Sequence, residues 1–313
     1  MIISSKQFSF FIAFLVFVIS MYISPYYIYG DQSVYKPVYS ALANLEYYNG
    51  FIYYIHNLTA REPIYYTIIW LFSRIVEKDV LMSFFNAIFA FYSMRLFIKW
   101  KTSLCIAAII VLTNYYFYVL YFAADRLKFG FLFFVLALYN MENKKFFMHS
   151  LLSLTSHAQF FIMYASLIFN KFLTEFNRIL IYAKIQKIFL ISLIFIFIAV
   201  ALMYSQISHK LSLYLAMKDG FYISDTFKLL AFLVLTLFYS KNKSESITLF
   251  IPLFVVAFLL GGERINLYGY FIFLYYALPV NRGLNIGIIL TTLYFAYKTL
   301  FFSLKIIQTG NGF

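Results

Sequence analysis

Long runs of apolar residues, divided by short polar breaks, dominate the chain. They fall at about 8–28, 80–98, 103–122, 123–141, 146–170, 188–204, 226–240, 246–260, 266–280 and 285–303. Most approach the roughly 20 residues that a helix needs to cross about 30 Å of hydrocarbon. Strands of a membrane barrel would alternate apolar and polar residues, and these runs do not. The pattern predicts an all-α, polytopic helical bundle of about ten to twelve spans, formed as a single membrane domain over residues 1–313. No internal repeat and no low-complexity tail interrupts it.

Two connections are long and polar, at about 29–62 and 205–225, and are expected as outer loops. The first carries Asp31, Lys36, Glu46, His56, Arg61 and Glu62; the second carries His209, Lys210, Lys218, Asp219 and Asp225. Pro63 to Val76 is apolar but short, about 21 Å at about 1.5 Å per residue. Residues 146–170 can form either one long helix or two short ones that dip in and return, with a break at Thr155-Ser156-His157-Ala158-Gln159.

Composition narrows the class. Apolar residues make up 64% of the chain and charged residues 12%, with 41 Phe and 30 Tyr, which excludes a water-soluble globule. The net charge of +13 is spread between apolar runs, as positive-inside loops require, and does not form a nucleic-acid face. With the N-terminus inside, Lys6, Arg95, Lys99, Lys101, Lys144, Lys145, Lys171, Arg178, Lys184, Lys187, Lys241, Lys243 and Arg282 are all cytoplasmic. The first run is too long for a signal-peptide core and is expected as a retained helix. A single cysteine excludes an internal disulfide and a thiolate metal site. Cys105 is expected to be a buried structural thiol.

That orientation leaves Asp31, Glu62, Asp125, Arg126, His157, Glu263 and Arg264 near the outer face. Ionisable groups in or beside spanning helices are costly, so each is a functional candidate. Each also has a structural reading. Asp125-Arg126 can be a snorkelling pair at a helix end, or the arginine can hold an anion through its planar fork. Glu263-Arg264, after Gly261-Gly262, can be an interfacial turn or a second such arginine; two arginines suit a diphosphate better than one phosphate. His157 can bridge helices or act as a general base. Glu62-Pro63 can cap a helix or deprotonate a sugar hydroxyl. Asp31 is either a turn residue or a ligand.

There is no Walker loop, G-x-G-x-x-G, H-E-x-x-H, G-x-S-x-G or D-x-D motif, which argues against a nucleotide-dependent enzyme. Neither a cofactor nor a metal is expected. Tyr115, Tyr116, Tyr118 and Tyr121 fit stacking on sugar rings and fit an interfacial aromatic belt equally.

The order of these features resembles the bacterial Wzy-type O-antigen and exopolysaccharide polymerases, in their EpsG-like branch. The resemblance rests on Gly30-Asp31-Gln32 with Tyr35 and Tyr39, and on Glu62-Pro63 with Tyr65-Tyr66. Arg126 then opens an apolar helix that Asn143-Lys144-Lys145 closes. Ser156-His157 and Glu263-Arg264, before Tyr268 and Tyr270, complete it. The family has a small or amide residue soon after the arginine, where this chain has Leu127-Lys128. The resemblance implies a metal-independent, GT-C-like glycosyltransferase of the bacterial inner membrane, with its site facing the periplasm. It would join undecaprenyl-diphosphate-linked oligosaccharide repeats into O-antigen (lipopolysaccharide), capsular polysaccharide or exopolysaccharide. A chain-length regulator is a possible partner; nucleic acid is not. Under this reading Arg126 and Arg264 hold the diphosphate, Glu62 or His157 is the base, Asp31 orients the acceptor, and Asp125 and Glu263 support. A flippase for the same lipid-linked sugar would show two pseudo-symmetric halves, which are not evident. A membrane acyltransferase of the pathway, or a structural member of an assembly complex, are further alternatives.

Overall fold

The computed structural model describes residues 4–182 and 223–313, with isolated positions between them. The expected span at 188–204, Lys184, Lys187, and His209, Lys210, Lys218 and Asp219 of the second polar connection lie outside the described residues. Everything regular among the described residues is helical, with no strand. The chain divides into two compact units, residues 1–157 with 278–313, and residues 158–277.

In the first unit, α1 (Ser5–Ile23) starts at a reciprocal cap: the Ser4 side chain accepts from Gln7 N–H, and the Gln7 side chain accepts from Ser4 N–H. Its buried positions, Ser9, Ile12, Ala13, Val16, Ser20 and Ile23, recur every three or four residues and form one stripe. That stripe packs on α5 (Lys78–Lys99), which also packs on α8 (Asp125–Tyr139). The opposite side of α1 exposes Phe10, Phe11, Phe14 and Tyr22, as a lipid-facing surface would.

The connection at 29–62 contains two helices, α2 (Gln32–Leu42) and α3 (Tyr47–Leu58). The reason is legible in hindsight. Tyr35, Val38, Tyr39 and Leu42 fall at i, i+3, i+4 and i+7 and are all buried, so a polar-looking segment has one apolar face. With α4 (Pro63–Phe72) they build a core from Tyr54, Leu58, Tyr65, Tyr66 and Ile69 that extends to Leu81, Met82 and Phe129.

The expected span at 103–122 is broken. α6 (Leu104–Thr113) stops at Asn114, whose side chain caps the short α7 (Tyr115–Tyr118), and the two segments bend by 52°. Cys105 is exposed, contrary to the expectation of a buried thiol. α6 buries Ala107, Ala108, Ile110 and Val111, which turns residues 105 and 109 outward. After α7 the chain widens into a π turn, Val119–Ala123, before α8. A turn of this kind displaces carbonyls from the helical ladder. Here side chains from elsewhere satisfy them: Tyr121 O accepts from Asn86 and Lys128, and Phe122 O accepts from Gln32.

α9 (Lys145–Ser156) packs on α8 and ends at His157, whose backbone is extended (φ −157°, ψ 120°). The chain therefore breaks inside Thr155–Gln159. The last helix of this unit, α14 (Ile286–Thr309), is capped by Asn285 and ends at Gly310 in the left-handed region (φ 72°). The Gly310 carbonyl accepts from Ile28 and Tyr29 N–H, and a Cβ there would approach Ile28 to 2.7 Å.

The second unit holds α10 (Phe160–Tyr182), α11 (Phe227–Tyr239), α12 (Lys243–Leu260) and α13 (Ile265–Ala277). α10 packs on α12 and α11 on α13, which is buried along its first ten residues, Ile265–Leu274.

Among the described residues, Ser5–Tyr26, Lys78–Lys99 and Val280–Thr309 are long and apolar enough to cross a membrane. The bent pair, Leu104–Thr113 with Tyr115–Ala123, passes as a fourth if it counts as one span. Pro63–Phe72, Phe160–Leu173 and Phe227–Tyr239 are apolar but shorter.

Candidate functional site

Glu62 is the centre of the first unit's polar core. Pro63 fills the first position of α4, where its missing N–H costs nothing, so Glu62 lies at the N-cap position. Its side chain makes no capping bond; it turns inward and is fully buried. One carboxylate oxygen lies 2.9 Å from Nδ1 of His157. The other accepts from the Tyr54 hydroxyl at 3.0 Å and from Nη1 of Arg126 at 3.1 Å. Four elements thus meet at one carboxylate: α3, the start of α4, the start of α8 and the end of α9. Burial, and after it the Glu62 carboxylate, holds the Tyr54 phenol well above its ordinary pKa, so it stays a donor. A buried carboxylate with this many partners remains charged at tolerable cost.

His157 reaches Glu62 because α9 ends there. An extended residue directly after a helix points its side chain away from the helix surface, and the ring is buried. When Nδ1–H donates to a carboxylate, the neutral ring carries its lone pair on Nε2. In that tautomer the Glu62 carboxylate fixes the orientation of the ring.

Asp125 and Arg126 are adjacent but pair with different groups. Arg126 donates through Nε to the Tyr35 hydroxyl at 3.1 Å and through Nη1 to Glu62. Asp125 takes Nζ of Lys78 at 2.6 Å and lies 3.6 Å from Nζ of Lys128. Gln32 accepts from Lys78 at 2.6 Å and donates to Asp125 at 3.4 Å. The Tyr35 ring joins the two groups: Nζ of Lys78 is 5.8 Å and the Arg126 guanidinium 5.7 Å from its centroid.

Asp31 is exposed where α2 begins and makes no capping bond there. Glu263 and Arg264 are exposed in the turn between α12 and α13, after Gly261 at φ 94°, in the second unit. Tyr116, Tyr118 and Tyr121 are buried, and Tyr121 stacks edge-on with Phe89 and Phe117. No cluster of three metal-ligating side chains occurs among the described residues.

Sequence reading did not single out Lys78 or Tyr54, and it quoted Gln32 and Lys128 only as part of the resemblance, with no chemical role. Lys78 and Lys128 look like ordinary positive residues beside apolar runs, yet they are 8% and 0% exposed. One signal was present: Lys128 lies three residues after Asp125, on the same helical face.

Comparison with known proteins finds no matching family model, no matching curated protein and no matching solved structure.

Proposed function

We propose that this chain is a membrane glycosyltransferase of polymerase type, which joins lipid-diphosphate-linked oligosaccharide repeats into a surface polysaccharide. The observation that carries the reading is the Glu62 node, where a buried carboxylate orients His157 and engages Arg126. The chemistry of glycosyl transfer can use both partners. An acceptor hydroxyl attacks the anomeric carbon, and its proton passes to Nε2 of His157. The bond from that carbon to the lipid diphosphate breaks, and its electron pair leaves with the diphosphate oxygen. Negative charge grows on the leaving group, where a preorganised guanidinium is most effective. His157 is the base in this scheme and Glu62 its orienting carboxylate. Arg126 is the diphosphate ligand.

The order of motifs that resembles the Wzy-type, EpsG-like polymerases supports the same reading. It supplies the finer expectations: a GT-C-like bundle of about ten to twelve spans, undecaprenyl diphosphate as carrier, and a site facing the periplasm of the bacterial inner membrane. The roles of Arg264, Glu263 and Asp31 rest on that resemblance alone. Orientation is tested by alkaline phosphatase fusions, active after Tyr54 and inactive after Lys184.

The function is tested by the length ladder of the host's surface polysaccharide after deletion of the gene. The polymerase reading expects collapse to a single lipid-linked repeat. Wild type restores the ladder; Arg126→Ala and His157→Gln, at matched protein levels, do not. Loss of all surface sugar, with repeats retained on the cytoplasmic side, would sink the polymerase and favour a flippase.

A further inference from the structure

The buried charges of the first unit are paired, Glu62 with Arg126 and Asp125 with Lys78 and Lys128. Lys298 on α14 is built differently. Among the described residues its side chain makes no hydrogen bond and no ion pair. Its ammonium meets two aromatic rings instead, with the Tyr115 centroid at 5.1 Å and the Tyr294 centroid at 5.6 Å. α14 belongs to a stretch long and apolar enough to cross a membrane. Lys298 sits at the midpoint of this 24-residue helix, about 17 Å from either end. A lysine stem covers only about a third of that distance, so the ammonium does not snorkel to an interface. A lysine at such depth is costly, and pairing is the usual answer to the cost. The two rings relieve part of it, because a cation is drawn to a π face.

The surface of α14 shows from which side a partner can come. Its inner face buries Ile288, Phe295, Thr299, Phe302 and Ile306, and it packs on α6 and α7. Lys298 is half-buried at the margin of that face. Along the margin, Thr291, Tyr294, Lys298, Phe301 and Lys305 recur at alternating steps of three and four residues. That repeat is the one by which a helix presents a seam to a second helix. The aromatic positions of the seam are open, with Tyr294 52% and Phe301 53% exposed. Lys305, one heptad after Lys298, is exposed, and its side chain also makes no ion pair among the described residues. The seam is therefore apolar and positive, and no carboxylate lies on it.

We propose that this margin of α14 is a docking seam for a membrane helix of another protein, one that carries a carboxylate within its apolar run. The spacing of the seam fits a helix, and its charge calls for an acidic one. The carboxylate pairs with Lys298 beside the Tyr115 and Tyr294 rings, while Tyr294 and Phe301 pack on the partner's apolar side chains. A lipid headgroup fits less well, because its phosphate stays at the interface, about 17 Å from the middle of the helix. The inference is independent of the reaction proposed above.

The test uses the full chain purified in detergent. The probe is a fluorescent Leu-Ala host helix of about 24 residues with one central Glu, and the same helix with Gln is its control. Wild type is expected to bind the Glu helix about three- to ten-fold more tightly than the Gln helix, the scale of one polar contact between membrane helices. Lys298→Leu should lose the preference and Lys298→Arg should keep it. Because Lys298 bonds to no polar group of the chain, Lys298→Leu should melt no lower than wild type, which also shows that it folds. A preference that survives in Lys298→Leu overturns the seam, as does wild type with no preference. A lower melting midpoint for Lys298→Leu assigns the lysine to the chain's own fold and overturns it too. Two other occupants are read in the same samples. Displacement of the Glu helix by phosphatidylglycerol, bound only when Lys298 is present, overturns the seam in favour of a headgroup. Dimers that form without probe and vanish in Lys298→Leu overturn it in favour of a second copy of this chain.

Discussion

The two units bury polar groups in different ways. Among the described residues of the second, the bonds join neutral groups: Thr236 to Phe232 O, Ser240 to Asn242 O and Ser246 to the Ser240 hydroxyl lie within six residues of chain, and the half-buried Thr248 reaches the Asn170 side chain across 78. In the first, the buried bonds join charged groups far apart in sequence: Arg126 to Glu62 across 64 residues, His157 to Glu62 across 95, and Lys78 to Asp125 across 47. A hydroxyl bonded to its own helix is neutral and forms with the helix. A buried charge bonded across the fold costs desolvation and gains only when the whole unit is assembled. Structure alone gives little reason to retain such groups, so the cluster in the first unit marks a place where chemistry is expected.

Breaking the Glu62 node should give the largest effect. Glu62→Ala leaves the Arg126 guanidinium buried without its carboxylate, an expected loss of about 3–5 kcal/mol. Thermal unfolding in detergent should show it as a large fall in midpoint or as absence of folded protein. The double variant Glu62→Leu with Arg126→Met should recover much of that loss while staying inactive. Recovery of stability without activity separates the cost of an orphaned charge from the role of the pair. A double variant as unstable as Glu62→Ala would show that the loss comes from packing at the node and not from an orphaned charge.

Asp125→Asn comes next. It leaves two buried lysines without a full counter-charge, at an expected cost of about 3 kcal/mol, read by the same melt. In the second unit, Gly269→Ala places a Cβ 2.5 Å from Leu229 Cδ1, and the expected cost is about 1–2 kcal/mol, because that methyl is the end of a movable side chain. The smallest change is Thr236→Val, which removes one local hydroxyl bond, expected at about 1 kcal/mol or less with the ladder unaltered. A Thr236→Val loss equal to that of Glu62→Ala would erase the contrast between the units.

Much of the local structure could be read in the chain. Glu62-Pro63 marks the start of α4, and the break within Thr155–Gln159 occurs where small and polar residues interrupt an apolar run. Both depend on neighbours in sequence. The break at Asn114 and the exposure of Cys105 were missed because an unbroken apolar run hides where one helix stops and which face packs. The helices at 32–42 and 47–58 were missed because polar residues outnumber the stripe that packs.

The sequence by itself determined the class: a helical chain too apolar for water. That follows from transfer free energies, which add residue by residue. Only the tertiary structure decided the partners. Arg126 meets Glu62 and not its neighbour Asp125, and Lys78 enters the core although nothing nearby in the chain calls for it. Such pairings depend on which helix ends converge, and buried charges accept only the arrangement that leaves none of them alone.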